Sequence, residues 1–403
     1  MKEQNKIFAL EGKVQHYQWG GFTFLPALLS RSAEAGQPFA EYWLGAHIQA
    51  PAAIKGNGDL DEFINEDRSV LGQSVKHRFG RLPYLLKVLD VKDMLSIQVH
   101  PTRASAKAGF EAENAAGVPL TAGHRNYKDD NHKPELATAL GPFWLLHGFR
   151  APDSMRRILN DVPELRFLLA FFNGGDYKTL YRYVMEMEPE QVNSRLQPLL
   201  ERILPLYESG KLEKSNPDFW AARAAITFNQ PGQIDRGIFS VYLLNLVFMN
   251  AGDAIFQDAG ILHAYLEGQN VEIMANSDNV LRGGLTPKHI DVPELMKHVR
   301  FEPVTPVILK GEPISAHEKA FITPADDFEL HEIRLAEKDA YSFKVQTVDI
   351  LLVMEGAVKA SEAGGHSLHV DKGGSLMLTA GAVLSLESTT GALIYRATVP
   401  AAR

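Results

Sequence analysis

Apolar and polar residues alternate with a period of two in several short segments of the chain, the pattern of β-strands. LPYLLKVLDV (residues 82–91) and MLSIQVHP (94–101) are separated by Lys92 and Asp93, so we predict two strands here. Strand character returns at IFSVYLLNLVFMNAGDAIF (238–256). From residue 341 onward, short β runs alternate with Gly-containing turns such as EAGGHSLHV and DKGGSL. This rhythm is typical of a jelly roll.

A helical spacing replaces the strand pattern after residue 151. MRRILNDVPELRFLLAFF (155–172) and VNSRLQPLLERILPLYESGKL (192–212) carry apolar residues at helical intervals, and Pro152 suits a first helical turn. Residues 102–116 also shift toward helix formers. We predict a mainly β protein with a helical insertion at 151–230. Residues 1–150 and 231–310 would form one discontinuous β domain, and 311–403 a C-terminal β domain.

One internal similarity bears on the C-terminal β domain. The segment from Gly252 to His263 aligns without a gap on the segment from Gly374 to Ser385, so the same strand-turn-strand is predicted twice. Ser385 stands where His263 stands in the first copy. Coincidence is the alternative, because the match is short. We predict that the second copy binds no metal.

Composition narrows the classes of function. Acidic residues outnumber basic ones by 49 to 41, and no Lys/Arg block suggests a nucleic-acid partner. The N-terminal sequence lacks the apolar stretch of a signal peptide, and the longest apolar run, 241–249, is too short to span a bilayer. We therefore expect a cytoplasmic protein with no membrane partner. The chain has 0 cysteines, so any metal ligands are nitrogen or oxygen donors.

The strand MLSIQVHP has one polar face. The period of two places Ser96, Gln98 and His100 on the side opposite three apolar residues. Pro101 ends the strand and leaves the imidazole at its rim. A solvent-facing strand surface would also explain this pattern.

The loop NYKDDNHKPE (126–135) concentrates ionisable groups. Pro134 restricts the backbone between Lys133 and Glu135. Glu135 offers an oxygen ligand, and His132 and Lys133 are possible proton carriers. A solvated turn is the alternative interpretation.

The segment from residue 260 to 291 holds the densest set of polar residues. His263 and Tyr265 share a strand face, while Glu272 lies in an apolar run, where a buried carboxylate needs a partner. Asp278 follows in a loop. Arg282 precedes two glycines, and together with Lys288 it could bind a phosphate.

Each of these charges taken alone is commonly a surface residue. Together the three segments supply two imidazoles, a carboxylate and an amide. This set suits Zn²⁺ with one position open for substrate.

The sequences LSIQVHP, NYKDDNHKPEL and HAYLEGQNVEIMANSDNVLRGGLTPKHIDVPEL, with HYQWG near Trp19 and YWLGAH near Trp43, resemble the class I mannose-6-phosphate isomerases (phosphomannose isomerases). These are cupin-fold zinc enzymes that interconvert mannose 6-phosphate and fructose 6-phosphate. The resemblance covers residues 10–300 and is weak beyond 310. Asp130 and Asp258 stand where proline is frequent in the family, which affects loop rigidity rather than chemistry.

The resemblance implies two cupin-type jelly-roll domains plus an α-helical domain, and one zinc per chain. It implies that the zinc ligands are Gln98, His100, Glu135 and His263. It places further residues in the active site: Trp19, Ser96, Lys133, Tyr265, Glu272, Asp278, Arg282 and Lys288. Lys133, His132 and Glu272 are the alternatives for the proton shuttle, with zinc as Lewis acid. A sugar phosphate is the expected partner, a monomer the expected state, and mannose metabolism, including GDP-mannose biosynthesis, the expected context.

Two other functions remain open from the sequence. A non-catalytic, sugar-binding cupin would keep the fold but break the ligand set. An Fe²⁺-dependent cupin oxygenase needs only two histidines and a carboxylate. Gln98 and the pair of Arg282 with Lys288 favour the phosphorylated sugar.

Overall fold

The structure is a computed structural model that describes residues 5–32 and 36–401. It is mainly β with a helical part, as predicted. The strands are, in chain order, β1 (Ile7–Glu11), β2 (Lys13–Gln15), β3 (Glu41–Gly45), β4 (Ala53–Ile54), β5 (Gly58–Asp59), β6 (Tyr84–Val91), β7 (Ile97–Val99), β8 (Glu135–Ala139), β9 (Phe143–Phe149), β10 (Leu244–Met249), β11 (Ala254–Gln257), β12 (His263–Ala275), β13 (Leu281–Gly284), β14 (Glu312–Pro313), β15 (Glu318–Phe321), β16 (Glu329–Leu335), β17 (Asp339–Lys344), β18 (Asp349–Glu362), β19 (Ser367–Asp371), β20 (Ser375–Leu378), β21 (Val383–Ser388) and β22 (Ala392–Thr398).

Most of the helical residues lie between two parts of the first sheet. The helices are α1 (Phe24–Leu28), α2 (Leu60–Glu66), α3 (Gln73–Arg78), α4 (Arg103–Ala115), α5 (Pro152–Asp161), α6 (Tyr177–Glu186), α7 (Pro189–Glu208), α8 (Pro217–Phe228), α9 (Gly237–Leu243) and α10 (Val292–His298), with short 3₁₀ helices at Arg68–Leu71, Pro163–Phe171 and Asn173–Gly175. Pro152 occupies the first turn of α5, where its missing N–H costs no hydrogen bond. Thr102 caps α4 by accepting the N–H of Ser105 at 3.2 Å.

The first antiparallel sheet carries the predicted ligand segments. Its order is β10-β9-β12-β6-β3-β2, with β7, β8, β11 and β13 paired off this path. The long strand β12 pairs with β7 and β9 near its start and with β6 and β8 further along. This one strand therefore connects the segments that sequence analysis singled out.

The second antiparallel sheet holds β14 to β22 together with β1, β4 and β5. β1 pairs with β20, so the first strand of the chain lies with the C-terminal strands although residues 1–150 were predicted as part of the other β domain. The segments aligned in the internal similarity both form strand-turn-strand, β11 to β12 and β20 to β21. The division into domains stays a prediction.

Three apolar clusters hold these parts together. One joins the helices to the first sheet through residues such as Leu199, Trp220 and Ile97, and another lies within the second sheet around Ile394. The largest cross-sheet cluster joins residues of the first sheet to residues of the second, among them Tyr42, Leu44, Tyr84, Leu86, Ile350 and Tyr395. Burial between the two sheets is the main stabilising interaction between them.

One predicted strand begins later than expected. Residues 237–243 form α9, and the strand starts at Leu244. All seven residues of α9 are buried, so no polar face marks a helical period. The prediction was wrong there because a fully buried apolar run does not distinguish helix from strand.

No helix among the described residues is both long and apolar enough to cross a membrane.

Candidate active site

Sheet register brings three of the predicted residues onto one face. In β7, Gln98 lies opposite His263 of β12 on one side and opposite Arg282 of β13 on the other. Residues directly opposite each other in an antiparallel pair project to the same face. His147 of β9 lies opposite His263 and extends this row.

Two histidines and a glutamate converge at the row. His100, Glu135 and His263 are buried, and one potential ligand atom from each lies within 4.8 Å of the others. The Glu135 carboxylate lies between the rings, with Oε1 3.4 Å from His100 Nε2 and Oε2 3.3 Å from His263 Nε2. Sequence analysis placed these residues together from three distant segments.

The main chain fixes how each imidazole faces the cluster. His100 Nδ1 donates to the carbonyl of Asn279 at 2.8 Å, and His263 Nδ1 donates to the carbonyl of Ile261 at 2.9 Å. A carbonyl can only accept, so each Nδ1 carries a proton, and each ring in its neutral form presents its lone pair at Nε2. Both Nε2 atoms are buried and have no hydrogen-bond partner among the described residues.

The electrostatics of the cluster suit a divalent cation. Burial lowers the pKa of His100 to about 4 and keeps its ring neutral. Burial alone would raise the pKa of Glu135, but Lys133 and His100 outweigh it, and the pKa lies well below its usual range. Neutral imidazole lone pairs and an ionised carboxylate are zinc ligands, with Gln98 as the amide of the predicted set. These residues therefore fit the predicted metal.

A second buried charge cluster lies beside the metal residues. Lys87 Nζ is 3.2 Å from Glu41 Oε2 and 3.5 Å from Glu272 Oε2, and Tyr265 donates its hydroxyl to Glu272 Oε1 at 2.9 Å. Sequence analysis named Tyr265 and Glu272 but missed Lys87 and Glu41. Lys87 is the one charge in the apolar run PYLLKVL, which was the available signal.

The members of this second cluster shift one another's pKa values. Burial would lower the pKa of Lys87, but the carboxylates of Glu41 and Glu272 raise it overall. Burial raises the pKa of Glu272 to about 7, and the charge of Glu135 adds to this, while Lys87 opposes it. A carboxyl with this pKa can take or release a proton near neutral pH.

Other predicted residues surround the two clusters. Lys133 Nζ lies 3.0 Å from Glu135 Oε1. Asp278 Oδ1 lies 3.3 Å from Nε2 of the buried His47. Burial would raise the pKa of Asp278, but His47 lowers it overall. Trp19 stacks on Tyr17 at a ring separation of 5.9 Å. Sequence analysis missed Tyr17 and His47.

Tyr17 extends toward the buried charges. Burial raises the pKa of Tyr17 to about 12, helped by Glu41 and Asp278 and opposed by Lys87. The side chain is nevertheless 42% exposed and so lies at the opening of the site.

Arg282 and Lys288 form a cationic edge. Burial lowers the pKa of the Arg282 guanidinium, and no carboxylate among the described residues offsets this effect. Burial lowers the pKa of Lys288, and the charge of Arg282 lowers it further. Ser96 precedes β7 and is half-buried. A partly buried, unpaired cationic group is suited to an anionic ligand.

His132 lies apart from the metal residues. Its Nε2 is 2.8 Å from Oδ2 of the buried Asp327, which also accepts from Arg103 Nη2 at 3.0 Å. The structure thus places His132 against the segment after β15, while its neighbour Lys133 reaches Glu135.

The fold and site define a β protein with a His–Glu–His group that could hold a metal ion, beside a cationic edge, and comparisons with known proteins give the family. The family model "Phosphomannose isomerase type I, catalytic domain" matches residues 7–152. A mannose-6-phosphate isomerase of Salmonella typhimurium is 39% identical over 359 residues, covering 86% of this chain and 88% of that protein. One of Escherichia coli K12 is 38% identical over 381 residues, covering 92% and 94%.

Solved structures agree with these relatives. A crystal structure of the Salmonella typhimurium mannose 6-phosphate isomerase, bound to fructose 6-phosphate and zinc, has a TM-score of 0.87 at 35% identity and covers 98% of this chain and 100% of its own. A zinc-bound crystal structure of mannose 6-phosphate isomerase also has a TM-score of 0.87. The chain belongs to the mannose-6-phosphate isomerases of the type I phosphomannose isomerase family, and the predicted family is confirmed.

Proposed function

We propose that the protein interconverts mannose 6-phosphate and fructose 6-phosphate with one zinc ion per chain. The observation that carries the proposal is the convergence of His100, Glu135 and His263, with both Nε2 lone pairs buried and unpartnered. Relatives of the same family whose structures hold zinc and fructose 6-phosphate support the proposal. Gln98 joins the ligand set through its register with His263.

Aldose–ketose exchange moves a proton between C2 and C1 through an enediol. Bound zinc would supply a positive charge that stabilises developing negative charge on the substrate oxygens. Lys133 is the favoured proton carrier, since Nζ lies 3.0 Å from Glu135 Oε1 at the edge of the metal cluster. Glu272 is the alternative. His132 is disfavoured because its Nε2 hydrogen-bonds Asp327.

The remaining residues bind and orient the substrate in this proposal. Arg282 and Lys288 would bind the phosphate, with Ser96 next to the strand that carries Gln98. Trp19 and Tyr265 would form walls of the pocket, and Asp278 would be held by His47 at its rim. A guanidinium that has no carboxylate partner can bind an anion through charge-assisted hydrogen bonds, which replace its hydrogen bonds to water.

The test is an isomerase assay on purified protein with mannose 6-phosphate, after chelation and after return of zinc. We expect activity to disappear with the chelator and to return with zinc, and His100→Ala to lose both zinc and turnover. His369→Ala is the matched control, because His369 is an exposed histidine of the second sheet. Sugar binding without turnover would favour a non-catalytic module, and oxygen consumption with Fe²⁺ an oxygenase.

We infer cupin-type β domains at 1–150 with 231–310 and at 311–403, the latter without metal, and a helical insertion at 151–230. We infer a cytoplasmic monomer that acts in mannose metabolism, including the supply of GDP-mannose. The relatives' activity supports the metabolic role, and light scattering of the purified protein tests the monomer.

A further inference from the structure

One carboxylate from the helical part holds the segment that follows Arg282. Asp235 precedes α9, and its Oδ1 accepts the N–H of Gly237 at 2.7 Å and the N–H of Leu285 at 2.8 Å. Its Oδ2 accepts the N–H of Thr286 at 3.0 Å. A single side chain thus holds the start of α9 and the two residues directly after β13 at fixed positions.

The held segment has an unusual backbone shape. Leu285 is buried with a φ of 54°, in the left-handed region that a branched side chain rarely adopts. Gly284 has a φ of 132°, and a Cβ there would lie 2.4 Å from the Cα of Gly237. Backbone therefore packs directly on backbone. The carboxylate hydrogen bonds offset the energetic cost of this shape.

The same hydrogen bonds continue toward Lys288. Thr286 Oγ1 accepts the N–H of Lys288 at 3.1 Å. Asp235 is itself fixed, because its own N–H donates to Asn229 Oδ1 at 2.9 Å. A path of hydrogen bonds therefore runs from the end of α8 to the lysine of the cationic edge.

We propose that Asp235 is a positioning residue for recognition of the substrate phosphate. It fixes the segment that presents Lys288 beside Arg282, so a residue just before α9 contributes to binding without touching the ligand. The inference rests on the proposed function. A residue that acts only through binding affects KM more than kcat.

The direct test is Asp235→Asn in the zinc-loaded full-length protein. The amide has the same shape but one acceptor oxygen, and its NH₂ would face a backbone N–H. We expect KM for mannose 6-phosphate to rise about tenfold with kcat within about threefold, since binding is lost uniformly from ground and transition states. Hydrogen exchange should accelerate in the peptide covering residues 281–288.

The matched control is Asp218→Asn. Asp218 is also a buried carboxylate of the helical part, but its partners are Arg202 at 2.9 Å and the hydroxyl of Tyr242 at 2.7 Å. We expect this variant to have a lower melting temperature and an unchanged KM for mannose 6-phosphate. A KM raised equally in both variants, or an unchanged KM in Asp235→Asn, would overturn the inference.

Calorimetry with inorganic phosphate separates this inference from the proposed function, because it needs no turnover. Weaker phosphate binding by Asp235→Asn than by the natural protein supports the positioning role even if mannose 6-phosphate is not isomerised. Equal binding overturns it. Should Asp235→Asn fail to fold, Asn229→Ala, which removes the support of Asp235, replaces it under the same criteria.

Discussion

At the scale of single residues, the metal cluster is preorganised by the main chain. His100 and His263 donate hydrogen bonds from Nδ1 to the carbonyls of Asn279 and Ile261. Turning either ring would therefore break a buried hydrogen bond. Glu135 is held ionised between them by Lys133. The lysine therefore has a fixed place next to the metal residues, which makes its role testable by itself.

Lys133→Met should abolish proton transfer and leave the metal in place, because Lys133 contacts Glu135 without being a ligand. We expect exchange of the substrate C2 proton with solvent deuterium to vanish, while zinc content stays at one per chain. The measurement is NMR of the sugar phosphate in deuterated buffer. Lys297→Met, at an exposed helix position, is the control. Undiminished exchange in Lys133→Met would transfer the role to another residue.

Arg282→Ala should lower kcat/KM by about a hundredfold, corresponding to roughly 2.7 kcal/mol of lost stabilisation of the anion. Arg282→Lys should recover only part of this, because an ammonium group lacks the bidentate donors. Steady-state kinetics on both variants check the expectation. Equal kcat/KM in Arg282→Ala and the natural protein would exclude a role in binding.

Which residues were found from sequence depended on whether their strand exposed a polar face. The alternation in MLSIQVHP revealed Gln98 and His100, whose neighbours at Ile97 and Val99 are apolar. Lys87 and Glu41 were missed, since their strands are buried on both faces and their meeting depends on pairing between β6, β3 and β12. A local sequence pattern does not determine the register between strands that are distant in the sequence.

At the scale of elements, the second sheet contains a buried charge network of its own. Glu318 on β15 lies 2.6 Å from His331 Nδ1 and 2.9 Å from Arg396 Nη1, and accepts the hydroxyl of Tyr341 at 2.5 Å. Arg396 also donates to Asp349 at 2.7 Å. The network connects β15, β16, β22 and β18, which are neighbours in the sheet, and reaches β17, which pairs with β21. The repeated β runs after residue 341 predicted strands in the region of β17 to β22, but they did not cover β15 and β16 and did not predict this network.

The pKa values of Glu318 and His331 are shifted in opposite directions, so their contributions to stability are lost at opposite ends of the pH range. Burial would raise the pKa of Glu318, but His331 and Arg396 lower it to about 2. Burial would lower the pKa of His331, but Glu318, followed by Glu329, raises it overall. Burial raises the pKa of Asp349 despite Arg396. Glu318 therefore stabilises the fold at pH values above its unfolded pKa of about 4.3 and loses this effect as pH falls toward 2.

Glu318→Gln should accordingly lower the melting temperature most between about pH 5 and 6. The Glu318 contribution is lost progressively as pH falls from about 4.3 toward 2, and the His331 contribution is lost as pH rises above about 6.5 through its raised pKa. The measurement is thermal unfolding of both proteins at pH 3, 4, 5.5 and 7.5. Glu312→Gln, on the exposed strand β14, is the control. A melting difference independent of pH would show that Glu318 contributes by packing alone.

At the scale of the whole molecule, the two sheets share one apolar core. Tyr84 of β6 is buried, and its hydroxyl lies 3.2 Å from the carbonyl of Val348 and 3.1 Å from that of Ala397. Asp327, just before β16, accepts hydrogen bonds from Arg103 and from His132 of the segment that carries Glu135. The second sheet thus contacts the segment that carries Glu135 and holds it in place through Asp327. Sequence analysis did not predict these polar contacts.

Ile394→Ala tests whether the molecule unfolds as one unit. Ile394 is buried in the cluster that lies within the second sheet, away from the metal residues, and this truncation should cost about 2–5 kcal/mol. Because Tyr84 and the apolar core connect the two sheets, we expect zinc to be released at the same lowered temperature as calorimetric unfolding. Val383→Ala, at a position 46% exposed, should move neither transition. Were zinc release to stay at the natural temperature while a separate transition moved down, the second sheet would be an independent unit. The hydrogen bonds that Tyr84 donates and Asp327 accepts would then contribute little to holding the segment that carries Glu135 in place.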